Sequence, residues 1–427
     1  MKSGLIIFSF LYMLLAACAP RYNKYFVYEK EVVREQISSE KAGCDKFDMY
    51  VPDAYTIMHN VRVNFHFMRS TEGENHFSEA EGRAYVHELI NMCNYRLANN
   101  AKMNLPKGNN TPNLKPQYQY VLTGNPGTGD DGIYFHADDS ACWYSKNKKS
   151  GANSLGDKTP FRYAVGSDTI FNIYFIEHHK DTVAKYPNYN VTSSGVSFGN
   201  NIKIFGAYGN WAQVFYLDDG NTFSKGAGFY SGVVNHEIGH SLGLNHSWNS
   251  DDGCEDTPKH ANCWGETGIE PCIGPTSNNM MDYNNCQCAL TPCQLAKIHY
   301  NFWKADARQY KVVVPDWCDY NPFNKVVIPR DSTVVFPAGR EFNSDIEISE
   351  YATLIVRCTV ALPAGAKIII KPGGKLIIDG GIITNRCGEN WEGIEIWESV
   401  KLKIKGEVVF ANGGTMEQVK NFANVIK

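Results

Sequence analysis

A chain of 427 residues, 43% of them hydrophobic, is too long for one small core and too apolar to remain unfolded, so two or more domains are expected. A formal net charge of -4 and a pI near 6.3 leave no basic footprint, which argues against nucleic acid as a partner.

In chain order, the first segment reads as an export signal. Lys2 supplies a positive charge, "LIIFSFLYMLLA" an apolar run too short for a comfortable membrane span, and Ala16 and Ala17 the small residues of a cleavage region. Residues 19–54 read as a polar tether or short pro-segment. "YTIMHNVRVNFHFM" has the β-branched and aromatic content of a strand. "FSEAEGRAYVHELINMCNYRLANN" reads as a helix with Ser78 as N-cap. Strands follow at "QYQYVLTG", "GIYFHA", "TIFNIYFIE" and "NIKIFGAYGNWA", then a second helix around residue 236. The mixture predicts an α+β domain over 55–312.

Beyond Pro315 the pattern becomes short strands separated by Gly and Pro turns, and "KIII" at Lys367 returns as "KLII" at Lys375. This predicts a separate all-β module over 313–427, either a sandwich or a β-helix.

The 13 cysteines suit an oxidising compartment. Setting Cys18 aside leaves an even number and up to about six disulfides. Zinc clusters are the rival reading, but no pair has C-x₂-C spacing.

The densest chemistry lies in "HEIGHSLGLNH", His236–His246. On a helix, His236 and His240 at i and i+4 share one face and can grip one ion. Glu237 lies about 100° round the helix, where it can serve as a general base toward water. His246 would face away if the helix continued, so the chain must turn back. Gly243 is where it can, because glycine takes the left-handed conformation that ends many helices. Three imidazoles with a fourth position open describe a catalytic zinc rather than a structural one.

H-E-x-x-H-x-x-G-x-x-H resembles the signature of metzincin metallopeptidases. "NNMMDYNN" resembles that clan's methionine turn, and "DDGCEDTP" before it resembles the pappalysin (ulilysin-like) family in particular. The resemblance implies a metzincin-like catalytic domain, with His236, His240 and His246 as zinc ligands and Glu237 as general acid and base. It implies Met281 as the packing methionine below the site and Tyr283 as a helper at the oxyanion. It also implies Asp252 and Asp256 near a calcium site. The expected activity is endopeptidase hydrolysis of polypeptide through a zinc-bound water, with substrate added as a strand along "NIKIFGAYGNW". Cys44 is a candidate latency ligand for the zinc, against an ordinary disulfide partner.

"LAAC", Leu15 to Cys18, resembles the lipobox of bacterial lipoproteins. It implies lipidation at Cys18 and an exported protein anchored to the outer membrane or cell surface; ordinary signal cleavage and secretion is the alternative. A second functional reading is a surface-binding or adhesion lipoprotein on a disabled protease scaffold, with the β module contacting a surface polymer. Retention of Glu237 speaks against it, because a structural zinc site needs no base.

Overall fold

The computed structural model describes residues 21–27, 33–35, 44–73, 77–144, 154–179, 195–208, 222–248 and 252–421. They form two compact units. One is the central unit, 50–314; the other joins residues up to 49 with those from Pro315 onward.

Two short strands, β1 (Tyr22–Phe26) and β2 (Val33–Glu35), precede the central unit but belong to the other one. The central unit begins its sheet with β3 (His59–Arg69), which is buried along nearly its whole length. Continuous burial is what a strand covered on both faces requires. Next come β4 (Tyr118–Leu122), β5 (Ile133–Ala137), β6 (Trp143–Tyr144), β7 (Phe171–His178), β8 (Gly195–Phe198) and β9 (Asn201–Phe205). The sheet order is β4-β3-β7-β9-β8, with β5 also on β3 and β6 on β7. All pairings are parallel except β8 with β9.

This corrects the reading of the sheet edge. The described part of "NIKIFGAYGNW" is β9, enclosed between β7 and β8, while the edge strand is the shorter β8. Four residues at β8 give too little alternation to reveal a strand.

Helix α1 (Glu79–Ala98) starts where expected. Ser78 and Glu81 form a reciprocal capping box that satisfies two otherwise orphaned amides. α1 packs on α2 (Thr222–Ser241): Asn235 Nδ2 donates to the Cys93 carbonyl at 3.2 Å, and Arg96 reaches Ser231 Oγ at 2.7 Å and the Cys286 carbonyl at 2.6 Å. Helices α3 (Pro292–Trp303) and α4 (Arg308–Val312) close the unit.

The second unit is a stacked parallel coil. Its turns are β10 (Lys325–Ile328), β11 (Thr333–Phe336) and β12 (Arg340–Glu341); β13 (Asp345–Ile348), β14 (Thr353–Val356) and β15 (Thr359–Ala361); β16 (Lys367–Ile370), β17 (Lys375–Asp379) and β18 (Ile382–Thr384); and β19 (Gly393–Ser399), β20 (Glu407–Ala411) and β21 (Thr415–Met416). Each strand pairs in parallel with the strand one turn later. Inward residues therefore stack in columns. One runs Ile328, Ile348, Ile370, Ile396, and another Phe336, Val356, Ile378, Phe410. Of the two expected architectures, this is the β-helix.

The segment expected as a tether is partly built in. β1 adds antiparallel to β19, and β2 adds parallel to β20. The reason is the open edge of the last turn, whose free backbone groups need partners. "YNKYF" carries its own strand signal in its three aromatic residues.

Among the described residues five disulfides form: Cys44–Cys358, Cys254–Cys293, Cys263–Cys272, Cys286–Cys288 and Cys318–Cys387. Cys93 and Cys142 are buried free thiols rather than a sixth bridge. Burial pushes both thiols well above their ordinary pKa, which keeps them unreactive. Cys44 is spent on Cys358, so it is not the latency ligand. Cys18 lies outside the described residues.

Candidate active site

α2 carries His236 and His240 one turn apart and ends just past them. Leu244 N donates to the Gly239 carbonyl at 3.0 Å, and Gly243 has φ +103°. A Cβ at position 243 would lie 2.5 Å from Asn301 Nδ2. That amide is already used: it donates to the Leu242 carbonyl at 2.9 Å, while Arg308 and Gln309 donate to the Ser241 carbonyl at 3.0 and 2.8 Å. The orphan carbonyls of the helix end are thus satisfied by side chains. The chain then turns back and delivers His246.

The three imidazoles meet at their Nε2 atoms, separated by 3.1 Å (236–246), 3.2 Å (236–240) and 3.1 Å (240–246). His236 Nδ1 donates to the Met280 carbonyl at 2.8 Å, and His240 Nδ1 to the Leu244 carbonyl at 2.9 Å. A carbonyl can only accept, so these Nδ1 atoms carry the protons and both Nε2 lone pairs are free to ligate. Burial and mutual repulsion keep the rings neutral, holding His236 down to about 3 and His246 to about 4. Zinc held tetrahedrally at 2.0–2.1 Å from nitrogen needs ligand atoms about 3.3 Å apart. The donor set fits that ion in type, tautomer and spacing.

Glu237 is buried beside this triangle, and burial raises its carboxyl to about 8. Gly195, the first residue of β8, makes room for it: a Cβ there would fall 2.4 Å from Glu237 Cγ. The edge strand and the base are therefore in direct contact.

Met281 is fully buried. It packs where a Cβ on Gly239 would meet its Sδ at 2.4 Å, directly against the helix between the two histidines. Tyr283 is not a core tyrosine. It is 46% exposed, with its ring 4.9 Å from His246 and 5.7 Å from His236. Its phenol pKa is raised by burial and by the charge of Glu237.

Asp252 and Asp256, the residues implied near a calcium site, both accept hydrogen bonds here. Asp252 accepts from Thr257 Oγ1 at 2.9 Å and Cys254 N at 3.0 Å. Asp256 accepts from Thr291 Oγ1 at 2.7 Å and Cys293 N at 3.0 Å, tying the loop to the start of α3.

Sequence reading missed Asp282. It is buried between the methionine turn and the third ligand, accepting from Ser247 N (3.1 Å), Ser247 Oγ (2.8 Å), Ser277 Oγ (2.7 Å) and His260 Nε2 (2.8 Å). It locks the residue after His246 to the turn beneath the site. Its one signal was its place in the methionine-turn motif; His260 and Ser277 had none.

A histidine triad on a helix and its returning loop, a buried carboxylate beside it and a methionine turn below define a metallopeptidase of the metzincin class. Residues 172–302 match the model of peptidase family M43, described as pregnancy-associated plasma protein-A. That region of the chain is thus similar to this metallopeptidase family. Among solved structures it is similar to mature mirolysin of Tannerella forsythia in complex with a cleaved peptide, at 17% identity and a TM-score of 0.40, covering 61% of this chain and 96% of that one. It is likewise similar to mirolysin in complex with compound 9, at 16% identity and a TM-score of 0.40, covering 60% and 96%. Among curated proteins, none matches.

Proposed function

We propose that this protein is an exported zinc-dependent endopeptidase, anchored through lipid at Cys18 and acting on polypeptide. The observation that carries the reading is the convergence of the three Nε2 atoms at 3.1–3.2 Å beside the buried carboxylate of Glu237. His236, His240 and His246 would hold the zinc, which when bound polarises a carbonyl and acidifies water. Glu237 takes the proton of the attacking water and passes it to the departing amine. Tyr283, half-exposed beside His246, offers its phenol to the developing oxyanion. Export and anchoring rest on the apolar N-terminal run and on "LAAC" at Leu15–Cys18.

The test is cleavage of a diverse peptide library by protein beginning at Ala19, beside Glu237→Ala. Cleavage abolished in the variant and by a zinc chelator supports the reading. A zinc-loaded wild type that cuts no peptide sinks it and returns attention to the adhesion alternative.

A further inference from the structure

Where the chain enters the β-helix, it meets a hairpin of unusual surface chemistry. Tyr22 is in register with Ser399, and Val400 N donates to the Arg21 carbonyl at 3.1 Å. The turn that follows reads Val400-Lys-Leu-Lys-Ile-Lys405. It is closed by Lys403 N to Ser399 O at 2.9 Å and Ser399 N to Ile404 O at 2.8 Å, with Ser399 Oγ accepting from Leu402 N at 3.1 Å.

Two apolar side chains stand out from this tip, Leu402 at 58% and Val400 at 38% exposure. Around them lie exposed Arg21, Lys401, Lys403 and Lys405, with Glu398 the acid bridged opposite Lys405. Lys403 occupies a left-handed φ of +57° that glycine or asparagine would hold at lower cost.

The location identifies the partner. Only Ala19 and Pro20 separate Arg21 from Cys18, so the chain can carry a lipid attachment point at Cys18 no further than about 10 Å from Arg21. Cationic side chains flanking exposed aliphatic ones match an anionic headgroup layer over its acyl chains. We infer that the 400–405 hairpin is a membrane-contacting tip, which seats the β-helix against the lipid surface that anchors Cys18. The choice of partner rests on the anchoring proposed above, whereas the patch does not need the lipid in order to bind.

The experiment uses unlipidated protein beginning at Ala19, cosedimented with phosphatidylethanolamine/phosphatidylglycerol vesicles and with pure phosphatidylcholine vesicles. Binding to the anionic vesicles should weaken with salt and fall about fivefold for each lysine removed. Lys403→Gly relieves the backbone at that position, and Lys401→Gln lies on the exposed tip. An unchanged calorimetric transition of the β-helix shows that both variants are folded. Leu402→Asp should abolish what remains. No binding by wild type, equal binding by the variants, or preference for an acidic polysaccharide over vesicles overturns the inference. The mass of the mature N-terminus tests the anchor separately: acylated Cys18 with an inert hairpin sinks only this inference, and a binding hairpin with unmodified Cys18 sinks only the anchor.

Discussion

The central unit and the β-helix use their residues in contrasting ways. The catalytic site depends on single side chains from α2, the bend at Gly243 and the methionine turn, each holding the next. The β-helix spreads the same task over repeated columns, in which Ile328, Ile348, Ile370 and Ile396 do equivalent work. Histidine divides along the same line, since all 12 fall between residues 59 and 299. Uniqueness makes chemistry and concentrates vulnerability, while repetition makes a scaffold and dilutes it.

The sharpest test of that contrast is Glu237→Gln, which should lower cleavage about 10²- to 10⁴-fold while zinc content by metal analysis stays at wild type. In the other unit, Ile370→Ala should cost about 2–5 kcal/mol of β-helix stability in calorimetry, as a cavity in a close-packed column does. Cleavage per folded molecule should not change; if it falls, the separation of roles is broken. Gly243→Ala forces a Cβ into left-handed backbone against Asn301. It should cost about 1–3 kcal/mol and weaken zinc binding measured by competition with a chelator.

A gentler comparison uses pH. His59 and His66 are buried and held down to about 3, chiefly by desolvation. Between pH 6.5 and 3 the unfolded chain binds protons that these folded residues refuse, so the central unit loses stability as pH falls. Glu341, buried against Arg386 at 2.8 Å, is instead raised to about 7 by desolvation. Between pH 4.5 and 7 its folded form holds the proton more tightly, so its contribution to the β-helix falls as pH rises. Lowering pH from 6.5 to 4.5 should shift the two calorimetric transitions in opposite directions. Parallel shifts would refute the assignment.

Much of this was legible because the determinants are local. The bend at Gly243 follows from helix geometry alone, and the capping box at Ser78 from two residues. The β-strand periodicity after Pro315 announced an all-β module, but choosing β-helix over sandwich required knowing which strand pairs with which, a nonlocal fact. The edge strand β8 was hidden by its length, and β1 by its position beside an export signal. Asp282 could be named only as a neighbour of Met281. Its role depends on Ser247, His260 and Ser277, which the folded chain alone brings together.

The bond between Cys44 and Cys358 has a further consequence for the anchor proposed at Cys18. The catalytic unit enters and leaves the chain through the same module, at residues 49–50 and 314–315. A single proteolytic nick at either junction leaves the enzyme attached through the other. After a nick at the first, the N-terminal piece is still held by the disulfide and by β1. With the lipid proposed at Cys18, separating the catalytic unit from that anchor takes two cuts, one at each junction.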